Sequence, residues 1–202
     1  MISSTPPPLL VAHNVLETQA GAASNIQLNQ GEVLGVYGPS GGGKSVLLKK
    51  IADLVPHTGS LACQGRAQQD WRPGQWRSQV MLFAAETAWW HETVAEHFEP
   101  SINQAWLSAA LSQLHLAPAL LHQPVSQLSS GEKQRLALIR GVYYQPAVLL
   151  LDEVTANLDP DTTVAVEQWL WTYLETQRAG AIWVTHDADQ RQRVATHTLK
   201  VG

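Results

Sequence analysis

The sequence predicts an α/β fold with a mostly parallel sheet. Three short runs carry that expectation: Val33-Leu34-Gly35-Val36-Tyr37, residues 148–151 and residues 181–185. They are apolar at nearly every position, as strands buried on both faces are. A turn and then a stretch of helical character follows each of them, and strands that alternate with helices build parallel sheets.

The remaining elements follow in chain order. Residues 9–30 show short apolar runs broken by Asn14, Gly21, Asn25 and Asn29, the pattern of small antiparallel strands. A glycine-rich loop over residues 38–43 leads into a helix over residues 44–54, closed by Pro56 and Gly59. Residues 80–84 form a further apolar strand. Residues 92–123 read as helical, with Trp106, Leu107, Ala110, Leu111 and Leu114 on one face. Residues 125–130 form a loop and residues 131–144 a helix, which Pro146 stops. Pro160 opens a helix to about Gln177, and Asp187 a last short one.

Composition narrows the function. Of the 202 residues 45% are hydrophobic and 15% charged, and 13 Lys+Arg against 17 Asp+Glu give a formal charge of -4. Proteins that bind nucleic acid carry a basic surplus, so no nucleic-acid partner is expected. The single cysteine, Cys63, forms no internal disulfide and fits a reducing compartment. No uninterrupted apolar run approaches the ~20 residues that span a bilayer. Residues 1–8 lack a basic region and contain Pro6-Pro7-Pro8, unlike a secretory signal. A cytoplasmic location is expected, including peripheral attachment to the cytoplasmic face of the inner membrane. Eight tryptophans are many for this length and suggest an interface.

Gly38-Pro39-Ser40-Gly41-Gly42-Gly43-Lys44-Ser45 fits G-x-x-x-x-G-K-[ST] between a buried strand and a helix. Such glycines let backbone N–H groups curl around phosphate oxygens, and the helix N-terminus adds partial positive charge. Lys44 then reaches the β- and γ-phosphates, and the Ser45 hydroxyl ligates Mg²⁺. The alternative, an ordinary glycine-rich turn, does not explain that strand–loop–helix setting. Asp152 and Glu153 end another buried strand, at the sheet edge where ligands bind in open α/β folds. Asp152 is a candidate Mg²⁺ ligand and Glu153 a candidate general base toward the water that attacks the γ-phosphate. Leu128-Ser129-Ser130-Gly131-Glu132-Lys133-Gln134-Arg135 opens a helix on a capping box, Ser129 with Glu132. A capped helix start with a glycine is also an anion site, and a second such site in one chain invites a dimer.

With Asn157-Leu158-Asp159 and Thr185-His186-Asp187, these motifs stand in the order found in ATP-binding cassette (ABC) ATPases, which the chain resembles over nearly its whole length. Within that family it looks most like small stand-alone ATPase subunits of iron or metal efflux transporters. The resemblance implies one P-loop cassette over residues 1–202, with a mostly parallel core sheet, a small antiparallel β subdomain and a helical subdomain at about residues 92–144. It implies a head-to-tail homodimer around two ATP with Mg²⁺, driving a separate integral-membrane permease. Gly38, Pro39, Ser40, Gly41, Gly42, Gly43, Lys44, Ser45 and Val46 would bind the phosphates. Ser129, Ser130, Gly131 and Glu132 would face the nucleotide of the other copy. Asp159 would couple the two sites, and His186 would touch the γ-phosphate and steady the water. Locally, Asp159 before Pro160 is also a helix cap, and Asp187 with Gln190 another capping box. The remaining histidines, His91, His97, His115 and His122 among them, lack metal-ligand spacing.

Two departures stand out. An aromatic residue usually stacks on the adenine upstream of the phosphate loop, and Glu17 falls at that place. The glutamine expected after the strand at residues 80–84 is Ala85, followed by Glu86. Water is expected in place of the glutamine, with Glu86 facing the permease side; Trp89 and Trp90 would mark that surface, only one of them exposed. A P-loop kinase of small molecules would also use the loop, but not the octapeptide or Glu153. A non-transport ABC ATPase or a nucleotide-binding regulator are the other readings that residues alone leave open.

Overall fold

The computed structural model describes residues 7–15 and 25–202. Strands β1 (Leu10–His13), β2 (Ile26–Leu28) and β3 (Val33–Tyr37) precede helix α1 (Lys44–Ile51). Strands β4 (Ser60–Cys63) and β5 (Arg66–Ala67), helix α2 (Pro73–Gln79) and strand β6 (Val80–Phe83) come next. Helices α3 (Gln104–Gln113) and α4 (Ser130–Val142), strand β7 (Val148–Asp152), helix α5 (Pro160–Gln177), strand β8 (Gly180–Val184), helix α6 (Ala188–Val194) and strand β9 (His197–Lys200) complete the chain.

Two sheets result. A five-stranded sheet in the order β6-β7-β8-β3-β9 is parallel throughout, and a four-stranded antiparallel sheet runs β2-β1-β4-β5. Every residue of β7 and of β8 is buried. The period-two alternation of a strand therefore sends side chains into two separate cores. Leu149, Leu151, Ala181 and Trp183 pack under α3, α4 and α5. Val148, Leu150, Ile182 and Val184 pack against α1 and the antiparallel sheet.

The fold matches the α/β expectation, with differences that have local causes. The first helix ends at Ile51, because Asp53 takes a left-handed backbone (φ 58°). Residues 92–123 hold one α-helix of ten residues, flanked by 3-10 turns at Ala95–His97 and Pro118–His122. Asn103 caps that helix by accepting from the Ala105 and Trp106 N–H groups, and His115 (φ 53°) turns the chain away after it. Its apolar face is the expected one, with Leu107, Ala110, Leu111 and Leu114 buried.

Residues 60–79 were not foreseen as structured. They form the β4–β5 hairpin, turning at Gln64 and Gly65 with φ 52° and 76°, and then α2, opened by Pro73 at its first turn. Trp76 of α2 is buried and donates its Nε1–H to the Ile51 carbonyl at 2.9 Å. Strand β9 was also unforeseen. It is an edge strand with half or more of its residues exposed, so it lacks the apolar run that marks the central ones.

The phosphate loop is seated against this last strand's end. Gly38 has φ 151°, and a Cβ there would collide with the Val201 carbonyl. Gly38→Ala is expected to lower stability by ~1–3 kcal/mol through that backbone clash and to weaken ATP binding with it. Urea denaturation checks this; an unchanged midpoint at unchanged slope would show that the loop is not seated there.

Candidate active site

Register places the site. Val36 of β3 and Asp152 of β7 both pair with Val184 of β8, so the three strands end in one row. The residues that follow, the loop after Tyr37, Glu153 and Thr185-His186, emerge side by side at the carboxyl edge of the sheet.

Gly38, Gly41 and Gly43 take positive φ (151°, 77° and 91°). A Cβ on Gly41 or Gly43 would meet nothing within 4 Å, so glycine is needed there for backbone conformation rather than for space. Gly43 is the N-cap of α1 and brings no side-chain cap, and the first turn of α1 carries no acid. The first N–H groups of α1 are thus left for an anion, at the positive end of the helix dipole. Lys44 is buried, and its Nζ donates to the Gly38 and Pro39 carbonyls at 3.1 and 3.0 Å, which folds the amine back under the loop. Ser40, Gly41 and Val46 are exposed.

Ser45 Oγ donates to Asp152 Oδ1 at 3.1 Å. Burial holds the Asp152 carboxyl above the usual carboxylate range, against the Ser45 hydrogen bond and the charges of Lys49 and Lys44. Glu153 has a left-handed backbone (φ 52°), which costs a residue with a Cβ roughly 1–2 kcal/mol. Its N–H donates to the Val184 carbonyl at 3.1 Å, and its Oε1 lies 2.8 Å from His186 Nε2. The strained turn therefore aims the carboxylate back across β8 at His186.

The octapeptide forms a second group. Ser129 and Glu132 make the expected capping box: Ser129 N–H and Oγ–H both donate to Glu132 Oε2 at 2.8 Å. Those bonds hold the Glu132 carboxyl below its usual range. Ser129 and Ser130 are exposed, while Gly131 is buried. A Cβ on Gly131 would come to 3.0 Å from Leu158 and 3.4 Å from the Asn157 carbonyl, so Asn157 and Leu158 pack directly on the start of α4. Asp159 Oδ1 caps α5 by accepting from the Thr162 N–H at 2.9 Å. Asp187 caps α6, but Gln190 turns its amide to Thr155 and Glu167 instead of completing a capping box. Among the described residues, no hydrogen bond or ion pair joins this group to the phosphate loop.

Beyond the strand at Val80–Phe83, Ala85 is exposed and Glu86 lines a cavity of about 370 Å³ with Met81, Trp90, His97, Arg140 and Tyr144. Trp90 is 64% exposed, whereas Trp89 packs on the core. The Arg140 guanidinium lies over both indoles, 4.6 and 4.7 Å from their centres. Sequence reading gave no role to Gln134, Arg140 or His97. Gln134, buried in α4, donates to the Ala84 carbonyl at 3.2 Å and so ties the octapeptide helix to the Ala85 loop. Only its place within the octapeptide could have pointed to it. Glu17 lies outside the described residues.

A model of the ABC transporter family matches residues 22–156. The chain belongs to the ABC transporter family. As an ABC ATPase it binds ATP and hydrolyses it to power transport, which decides against the small-molecule kinase. It is 36% identical over 195 residues to the "Probable iron export ATP-binding protein FetA" of Escherichia coli (strain K12), covering 91% of this chain and 87% of that one. It is 32% identical over 200 residues to the "Aliphatic sulfonates import ATP-binding protein SsuB 3" of Paraburkholderia xenovorans (strain LB400), covering 96% and 77%. Among solved structures it resembles cbiO1 from Clostridium perfringens, described as part of the ABC transporter complex cbiONQ. The TM-score is 0.75 at 20% identity, covering 96% of this chain and 85% of that one, a likeness of fold. No helix of the described residues is long and apolar enough to cross a membrane.

The strain at Glu153 can be measured in this ABC ATPase. Glu153→Gly removes the left-handed penalty and loses only a half-exposed contact to His186, worth little. After the entropy cost of glycine, a gain of about 0.5–1 kcal/mol is expected, seen as a melting temperature a few degrees higher in an inactive protein. A lower melting temperature would show that the turn is unstrained.

Proposed function

We propose that two copies of this ATPase bind two ATP head to tail and drive a separate integral-membrane permease that exports a metal, with iron the leading candidate. The reading of metal export is supported by the 36% identity to the iron-export relative. The ATPase would sit on the cytoplasmic face of the membrane as a peripheral subunit, one cassette in which residues 92–144 form the helical part. The observation that carries the catalytic assignment is the Glu153–His186 pair at 2.8 Å beside the Ser45–Asp152 pair at 3.1 Å.

In this reading residues 38–46 cradle the phosphates, and Lys44 turns its amine from the loop carbonyls to the β- and γ-phosphates. A hydroxyl and a buried carboxylate with converging oxygens, Ser45 and Asp152, fit the hard-oxygen donor set of Mg²⁺. Bound there, Mg²⁺ would neutralise phosphate charge. Glu153 takes the proton of the attacking water as general base. His186, within hydrogen-bond reach of that carboxylate, orients it and the water. Ser129, Ser130, Gly131 and Glu132 of the second copy close over the γ-phosphate, and Asp159, one residue from the Leu158 that packs on Gly131, links the two sites.

Glu153→Gln keeps the shape and removes the basicity, so hydrolysis should fall by ~10²–10⁴-fold while ATP still binds. At saturating ATP this variant should run as a dimer on sizing and Lys44→Ala as a monomer. Near-normal turnover would overturn the base, and a monomeric Glu153→Gln protein the two-copy site.

The exposed Trp90 and the cavity beside it support a permease contact on that face, since tryptophans anchor interfaces. Trp90→Ala should abolish capture of the permease and leave basal ATP hydrolysis within about twofold, as a surface change of this kind is small in the free subunit. Capture that survives would move the contact elsewhere.

A further inference from the structure

His97 sits beneath the tryptophan turn, only 5% exposed, and both of its ring nitrogens are engaged. Nδ1 is 2.9 Å from the Thr93 carbonyl oxygen, which can only accept. Nε2 is 2.9 Å from both the Trp90 and the His91 backbone nitrogens, which can only donate. One protonation state satisfies all three contacts: a neutral ring with the proton on Nδ1 and a lone pair on Nε2. A proton added at Nε2 would face two N–H donors with no acceptor. The ring also packs edge-on against Trp89, Trp90 and His91, with centres 4.8, 4.9 and 5.0 Å away.

The charged groups around the ring act on the same balance. Arg140, from α4, and His91, on the turn itself, both disfavour a second positive charge. Of the two acids, Glu96 is already engaged by the Thr93 N–H and hydroxyl at 2.7 and 2.8 Å, and Glu86 lines the cavity that His97 shares with Arg140 and Tyr144. Burial, Arg140 and His91 together place the His97 pKa below the ordinary histidine value, against the Thr93 hydrogen bond. For a group depressed in the folded state, the stabilisation is full above the ordinary value, about 6.5, and is lost as pH falls through the folded one. Arg140 meanwhile donates to the Ala88 carbonyl at 3.0 Å and covers both indoles, so the turn is held from two sides.

We propose that His97 is a positioning residue that holds the Trp89–Trp90 turn in the shape the permease receives and lets it go on protonation, so that coupling to the permease weakens in acid. The proposal rests on reading this face as the permease's.

Long-range ¹H–¹⁵N spectra of histidine-labelled protein give the tautomer, and amide exchange at Trp90 and His91 gives the clamp. The Nδ1–H neutral form is expected above pH 6.5. Protection at those two amides, taken relative to the intrinsic exchange rate at each pH, should fall by about tenfold on acidification or in His97→Phe, with protection of the β7 amides unchanged as the control for folding. His97→Gln, which keeps an acceptor without titrating, should restore protection and remove the pH dependence. An Nε2–H tautomer, or protection that survives His97→Phe, would overturn the clamp. Capture of the co-expressed permease should fall with pH in the unaltered protein and not in His97→Gln. If capture survives Trp90→Ala, the reading of this face falls and the proposal with it. If capture needs Trp90 but ignores both pH and His97→Phe, the proposal alone falls.

Discussion

The structure depends on one constraint, the register of three buried parallel strands. β3, β8 and β7 are apolar on both faces, so each must pair with its neighbours in a single alignment. A slip by one residue would exchange the side chains of the two cores, sending Leu149 and Leu151 toward α1 and Val148 and Leu150 toward α4 and α5. That packing cost fixes Val36, Val184 and Asp152 in one row. Glu153, His186 and the start of the phosphate loop at Gly38 all lie within two positions of that row, so the hydrophobic core brings these three segments together.

Two helix starts treat their free N–H groups in opposite ways. α1 opens on a glycine with no side-chain acceptor and no acid in its own first turn. α4 is closed by its own residues, with the Ser129 hydroxyl accepting from the Glu132 N–H at 3.2 Å and donating to the Glu132 carboxylate. An anion meeting α1 displaces nothing but the Lys44 contacts to two carbonyls. An anion meeting α4 must compete with a charge-assisted hydrogen bond and approach a carboxylate. On the proposed two-copy reading, the first site is competent within one copy, the second needs the extra contacts that a second copy would bring, and ATP binds before the copies pair.

What the sequence made legible follows the same division. Strands buried on both faces announce themselves as apolar runs, so the central strands and the sheet edge that carries the candidate site residues could be read. The start of the helix over Pro160–Gln177 was equally legible in Asp159 and Pro160; its end is set by Arg178 in a left-handed turn, which the structure shows. The edge strand His197–Lys200 and the hairpin strand Arg66–Ala67 were not legible, because they mix exposed and half-buried residues and are held by pairing rather than burial. The other edge strand, Val80–Phe83, has both end residues buried and is an apolar run. Residues 92–123 misled for another reason. Leu, Ala and Gln favour helix throughout, but Pro100 and Pro118 confine it to Gln104–Gln113. The Arg140 stack was beyond reach, since its two tryptophans lie some fifty positions away in sequence and meet it only through the packing of α4 beside β6.

The replacement at Ala85 can now be argued from geometry. Alanine offers no ligand atom, and a carboxylate one residue on could serve a cation only if the chain turned it inward. Glu86 instead lines the cavity that Trp90, Arg140 and Tyr144 share. The Ala84 carbonyl before it is held by Gln134 at 3.2 Å, and the Ala88 carbonyl after it by Arg140 at 3.0 Å. With both ends of the short segment tied to α4, a rotation that moved Glu86 toward Asp152 would break at least one of these bonds. Mg²⁺ retains several waters readily, so leaving one more in its shell costs less than remaking that loop. On the proposed reading, then, Ser45 and Asp152 supply the side-chain oxygens, and the acid at position 86 adds negative charge beside Arg140 on the face that receives the permease.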